Sequence, residues 1–78
     1  MAVRAFVLIQ TESGKTRSVA EEVGTVQGVG SAVVVTGPYD VIAVAQAPSI
    51  DALGKMVLSR IQSVEGITRT ITCPVVRI

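Results

Sequence analysis

Short apolar runs alternate along the chain with two stretches of helical spacing, and their order predicts a βαββαβ chain. Ala2 to Gln10 reads as a first strand. Both of its alternating sets are apolar, Phe6 and Leu8 on one side and Val3, Val7 and Ile9 on the other, so both faces are expected to be covered. Thr11 to Gly14 is a polar break. A helix is expected from about Lys15 to Val26, with Val19, Val23 and Val26 on one face and Gly28 as a stop signal beyond it. Val29 to Thr36 and Val41 to Ala47 are two β-branched runs flanking a Gly-Pro-Tyr-Asp turn, the pattern of an antiparallel hairpin. Pro48 ends the third strand, and Ser49 is placed to cap a second helix with Asp51 in its first turn. Ile50, Leu53, Val57, Ile61 and Val64 form the apolar stripe of that helix. Gly66 breaks it, and Ile67 to Ile78 reads as the last strand, with Pro74 marking an edge or a bulge.

The segment Val26-Gln27-Gly28-Val29 recurs as Val64-Glu65-Gly66-Ile67, each copy ending a helix and starting a strand. Two strand–helix–strand units with right-handed crossovers give an α+β, ferredoxin-like domain. Its four-stranded antiparallel sheet carries both helices on one face.

Composition adds one constraint. At 78 residues the chain is a single domain, spanning 1–78, and a monomer of this size buries only roughly 60% of its unfolded surface. Yet 49% of its residues are hydrophobic and its mean hydropathy is +0.58. Cys73 is the only cysteine, so no disulfide can compensate. The expected solution is a homo-oligomer that dimerises through the apolar sheet face the helices leave open.

Charge and motifs exclude more than they assign. The net charge is +1 with no basic stripe and only Phe6 and Tyr39 as aromatics, which argues against direct nucleic-acid binding. Phe6 to Ile9 is too short to span a membrane, and a lone cysteine without a secretion signal fits the cytoplasm. Ser13-Gly14-Lys15-Thr16 resembles the end of a P-loop, but the position that needs the first glycine is Ile9, inside a strand. Gly28-Val29-Gly30 follows a helix instead of opening one, so it offers no helix N-terminus to a pyrophosphate. With no histidine and one thiol, neither a zinc site nor any other metal or cofactor site is implied, and Cys73 reads as a buried, inert side chain among strand residues. Glu21 and Glu22 point in different directions on a helix and read as a solvated face.

The turn is the remaining candidate. Tyr39 and Asp40 place a polar ring and a carboxylate at the tip of two apolar strands, although an Asp in a turn also serves to bond its own backbone. Thr68, Thr70 and Thr72 share one face of the last strand; strand propensity accounts for them, and so would a row of hydroxyls facing a polar ligand.

The order βαββαβ, the turn Thr36-Gly37-Pro38-Tyr39-Asp40, the link Val64-Glu65-Gly66-Ile67 and the run Arg69-Thr70-Ile71-Thr72 together resemble one family. It is the amino-acid-binding regulatory domain of the leucine-responsive/asparagine regulator (Lrp/AsnC) family, and the likeness runs from Ala2 to about Val76. Family members usually carry a helix-turn-helix domain ahead of this one. Here the first residues are already strand one, so the resemblance implies a stand-alone regulatory module. It also implies sheet-to-sheet dimers that assemble into rings, commonly octameric, with an amino-acid effector held between dimers near the turn. Carried over by motif, Thr36, Gly37, Tyr39 and Asp40 would line that pocket, and Thr70 and Thr72 could contribute from an adjoining subunit. Asp40 would pair with the effector ammonium, and backbone amides near Gly37 would take its carboxylate. Met56 and Arg60, at i and i+4 beside the stripe of the second helix, could border the pocket and set selectivity.

The leading expectation is therefore an effector-binding and oligomerisation module, not an enzyme. Its partner could be a full-length regulator with the same domain. A ligand-independent structural oligomer is the alternative. A small cofactor-free ferredoxin-like enzyme comes third, because no histidine base is present.

Overall fold

The computed structural model describes residues 2–77, apart from the side chain of Met56. The chain runs β1 (Val3–Thr11), α1 (Thr16–Gly24), β2 (Val29–Val34), β3 (Val41–Ala47), a second helix α2 over residues 50–62, and β4 (Ile67–Pro74). The strands form one antiparallel sheet in the order β2-β3-β1-β4, as two interleaved strand–helix–strand units require. The ferredoxin-like α+β fold expected from the sequence is therefore present.

Strand alternation decides which face the helices cover. Ala5, Val7 and Ile9 of β1 lie opposite Ala45, Ala43 and Val41 of β3, and all six are fully buried. Val19, Ala20 and Val23 of α1 pack on this layer, as do Leu53, Val57 and Ile61 of α2 and Val64 beyond it. Small alanines on β3 let the branched helix side chains sit close to the sheet, the interdigitation that dense cores require.

The opposite face is open in the single chain. Phe6 is 43% exposed, and Leu8, Ile42, Val44 and Ile71 are only half buried around it. Within one protomer the helices cover only one face of β1, and the other is the face expected to meet a partner sheet. Cys73 lies opposite Phe6 on β4, on this same open face, and is exposed. The expectation of a buried thiol fails for that reason: its apolar neighbours have no second layer above them.

Several boundaries move. Helix α1 is shorter than expected at both ends, with Lys15 at the N-cap position. The Thr25 N–H donates to the Glu22 carbonyl and the Val26 N–H to the Val23 carbonyl, both at 3.1 Å, tightening the last turn. β2 stops at Val34, so Thr36 belongs to the turn. β4 ends at Pro74, which pairs with Ala5 on an edge strand where a missing N–H is tolerated. The irregularity in β4 lies instead at its start. Gln10 pairs with Arg69 and Thr11 with Ile67, leaving Thr68 as an extra residue. Ile78, expected to close the strand, lies outside the described residues.

Helix α2 has three contiguous parts: α-helical Ile50–Ala52, π-helical Leu53–Leu58 and α-helical Ser59–Gln62. Ser49 caps it as expected, its Oγ accepting from the Ala52 N–H at 3.1 Å. Ile50 does not join the buried stripe and is 58% exposed, and Val64 is buried just past the helix end. Replacing the cap, Ser49→Ala, is expected to lower stability by about 1 kcal/mol in urea unfolding. No loss would mean that the first turn of α2 is held by packing alone.

Candidate functional site

The β2–β3 connection is built to stand clear of the sheet while remaining tied to it. Val34 and Val41 are the last paired residues of the hairpin, and the Val35 N–H reaches the Asp40 carbonyl at 2.9 Å to close the loop between them. Gly37 has φ +127°, a conformation that L side chains rarely adopt, and a Cβ placed there would meet open space. The glycine therefore serves the backbone turn, and it leaves the loop surface unobstructed.

Asp40 is the anchor. Its N–H donates to the Ile9 carbonyl at 2.9 Å, and its Oδ2 accepts from the Thr11 N–H at 2.8 Å and from Thr11 Oγ1 at 3.3 Å. Thr11 Oγ1 is also 2.7 Å from Thr16 Oγ1, at the first residue of α1. Gln10 adds a further tie, donating from Nε2 to the Pro38 carbonyl at 2.9 Å. The turn, the end of β1 and the start of α1 thus form one hydrogen-bonded unit. Asp40 Oδ1 accepts no hydrogen bond among the described residues, so one carboxylate oxygen holds the loop and the other is available to a ligand.

Gln10, Thr11 and Thr16 are the residues that sequence reading missed. Thr11 opens the polar break, and its hydroxyl directly follows a strand that turns out to flank the loop. The only available signal was that a hydroxyl residue at a strand end can bond a neighbouring turn.

The other expected site residues divide into two groups. Thr70 and Thr72 lie opposite Ile9 and Val7, on the helix-facing side of β4. Ile9 has Val41 on its other flank and receives the Asp40 N–H, so Thr70 stands two strands, about 10 Å, from the base of the turn. Both threonines are half buried. Arg60 is not brought to the turn within one protomer. Its side chain borders a cleft at the Gln46–Pro48 end of β3, about 20 Å along the strand from Asp40. The side chain of Met56 lies outside the described residues.

The architecture is a four-stranded sheet with an open apolar face, two helices behind it and a polar turn at one end. The Lrp/AsnC ligand binding domain family matches residues 4–78, and the chain belongs to that family. It is 31% identical over 75 residues to an uncharacterized HTH-type transcriptional regulator of Pyrococcus furiosus, a match covering 92% of this chain and 50% of the regulator. The chain therefore spans about half the length of the curated relatives it matches. The crystal structure of a Thermus thermophilus protein, TTHA0845, superposes with a TM-score of 0.89 at 32% identity, covering 97% of this chain and 95% of that one. The fold is shared with a transcriptional regulator of Neisseria meningitidis solved as a complex with L-Met, at a TM-score of 0.81 and 22% identity, over 96% of this chain and 50% of that one. Family membership makes the chain a regulatory ligand-binding domain. Among the described residues, no helix is long and apolar enough to cross a membrane.

Proposed function

We propose that this chain is a cytoplasmic, non-enzymatic effector domain that binds a small free amino acid at the Thr36–Asp40 turn. Two sheets pair through their open faces, dimers assemble into a ring of octameric type, and the effector sits between dimers. Occupancy then shifts the assembly, or acts through a full-length regulator that carries the same domain.

The observation that carries this reading is the state of Asp40. One carboxylate oxygen fixes the loop to Thr11, which leaves Oδ1 as a pre-positioned acceptor for an ammonium group. The unobstructed backbone around Gly37 offers N–H groups to the nearby carboxylate of the same ligand. Tyr39, half buried beside Asp40, and the exposed Thr36 would complete the wall. Thr70 and Thr72 would approach from an adjoining copy. The Neisseria regulator, of the same fold, is an L-Met complex, which supports an amino acid as the ligand class.

A thermal-shift screen against each common amino acid at millimolar concentration tests it, because a ligand that binds only the folded assembly raises its stability by mass action. A selective upward shift is expected. A second reading, assembly without any ligand, is favoured by the open apolar face alone, and a flat response to every amino acid would select it.

A further inference from the structure

A concavity lies remote from the turn. At the other end of β3, a cavity of about 140 Å³ lies between the α1–β2 link, the Gln46–Pro48 segment and α2. Its floor is apolar (Ala47, Pro48 and the buried Val57), Gln46 contributes its backbone, and the polar residues Gln27 and Arg60 border it.

Three features separate it from a casual surface dent. First, its back wall is a forced close approach. Gly28 has φ +99°, its carbonyl accepts the Gln46 N–H at 2.7 Å, and a Cβ there would stand 2.6 Å from Val57 Cγ2. The absence of a side chain at Gly28 is thus what allows α2 and the link to meet behind the cavity. Second, Val57 belongs to the π-helical stretch Leu53–Leu58. A π-turn widens the helix locally, and such turns occur frequently at functional sites. Third, the rim has a one-sided chemistry. Among the described residues Arg60 forms no ion pair, and no acidic side chain lines the cavity.

We infer that this cavity is a binding site for a small carboxylate that carries no amino group, of the 2-oxo acid type. A ligand of about six non-hydrogen atoms fits this part of the cleft, which continues past Ala47 and Pro48 toward Ala2. Arg60 supplies a planar donor fork for the carboxylate. The Gln27 amide supplies a donor for a neighbouring carbonyl oxygen. The apolar floor receives a short alkyl group. A zwitterionic amino acid of equal size would set its ammonium beside Arg60 with no anion to compensate it, so the cavity discriminates against it. The turn, which has a carboxylate, has the reverse preference. The two sites would thus read an amino acid and its deaminated counterpart separately.

Isothermal titration with sodium pyruvate, and with L-alanine as the zwitterion of matching size, tests the inference on the intact protein. Pyruvate is expected to bind saturably, with an affinity unchanged by excess L-alanine. Arg60→Gln is expected to weaken it by roughly tenfold to a hundredfold, since one charge-assisted contact is lost. Lys55→Gln removes an equal charge from the same helix outside the cavity and is expected to leave the affinity unchanged. Both side chains are exposed, so neither variant threatens folding. No saturable binding of pyruvate, equal loss in both variants, an unaffected Arg60→Gln, or competition by L-alanine would each overturn the assignment. None of these outcomes depends on whether the turn binds an amino acid.

Discussion

Phe6→Glu is expected to convert the assembly to monomers at micromolar concentration, read as a fall in mass by light scattering, with the far-ultraviolet circular dichroism retained. Phe6 occupies the open face of β1, next to the centre of the sheet, among Leu8, Val44 and Ile71. A standard interface covers about 800 Å² per partner. The protein exposes 5022 Å², so pairing through this face would remove about one-sixth of it. A carboxylate placed there must be desolvated without a partner, which costs several kcal/mol. In a two-fold interface the substitution acts twice, so the dimer constant is expected to weaken by about 10⁴-fold or more. Phe6 makes no contribution to the helix-side core, and the monomer fold survives its loss. Ile50→Glu, which places the same charge on the helix side at another exposed apolar position, is expected to leave the sheet-paired dimer intact. An unchanged mass for Phe6→Glu would rule out the open face as the pairing surface.

The sequence disclosed this face only in part, and the reason lies in Phe6 and Cys73. Period-two alternation places both on the same side of the sheet, the apolar side that composition marks for a partner, yet it does not separate what the chain covers itself from what a partner must cover. Alternation reports the direction of a side chain, whereas burial depends on a second layer that the chain does not itself supply. The hairpin was legible for the opposite reason. Gly37 and Pro38 interrupt two β-branched runs, and that information is entirely local. Helix α2 lies between these cases. Leu53, Val57 and Ile61 recur at helical spacing and are buried as expected, but the widened π-turn that contains Leu53 and Val57 leaves no mark in a spacing of four. Arg60 shows the limit of such spacing. It fixes the face a residue occupies and does not say which end of the sheet that face overlies. The Asp40–Thr11 contact, between residues 29 apart, arises only when β3 lies beside β1. Propensity could identify Asp40 as a turn residue. It could not reveal that one carboxylate oxygen is already committed.

That commitment separates two substitutions at Asp40. Asp40→Ala is expected to destabilise the protein by about 2–3 kcal/mol in urea unfolding, because it removes the acceptor of the Thr11 N–H and leaves a part-buried backbone donor unpaired. The loss should spread beyond the turn, since Thr11 also meets Thr16 at the start of α1. Asp40→Asn keeps one oxygen. With that oxygen on the Thr11 N–H the fold is retained, at a cost of about 1 kcal/mol for the weaker, uncharged acceptor. The amide NH₂ then occupies the place of Oδ1 and presents donors to an incoming ammonium. Binding of the amino acid is therefore expected to fall by about a hundredfold in a variant that still folds, since a charge pair has been replaced by a donor–donor clash. Urea unfolding and ligand-dependent thermal shift, measured on both variants, read the two roles independently. Parental stability in Asp40→Ala would show that the Thr11 bonds contribute nothing net. Undiminished amino-acid binding in Asp40→Asn would remove Asp40 from the ligand and leave it as the fastening of the turn.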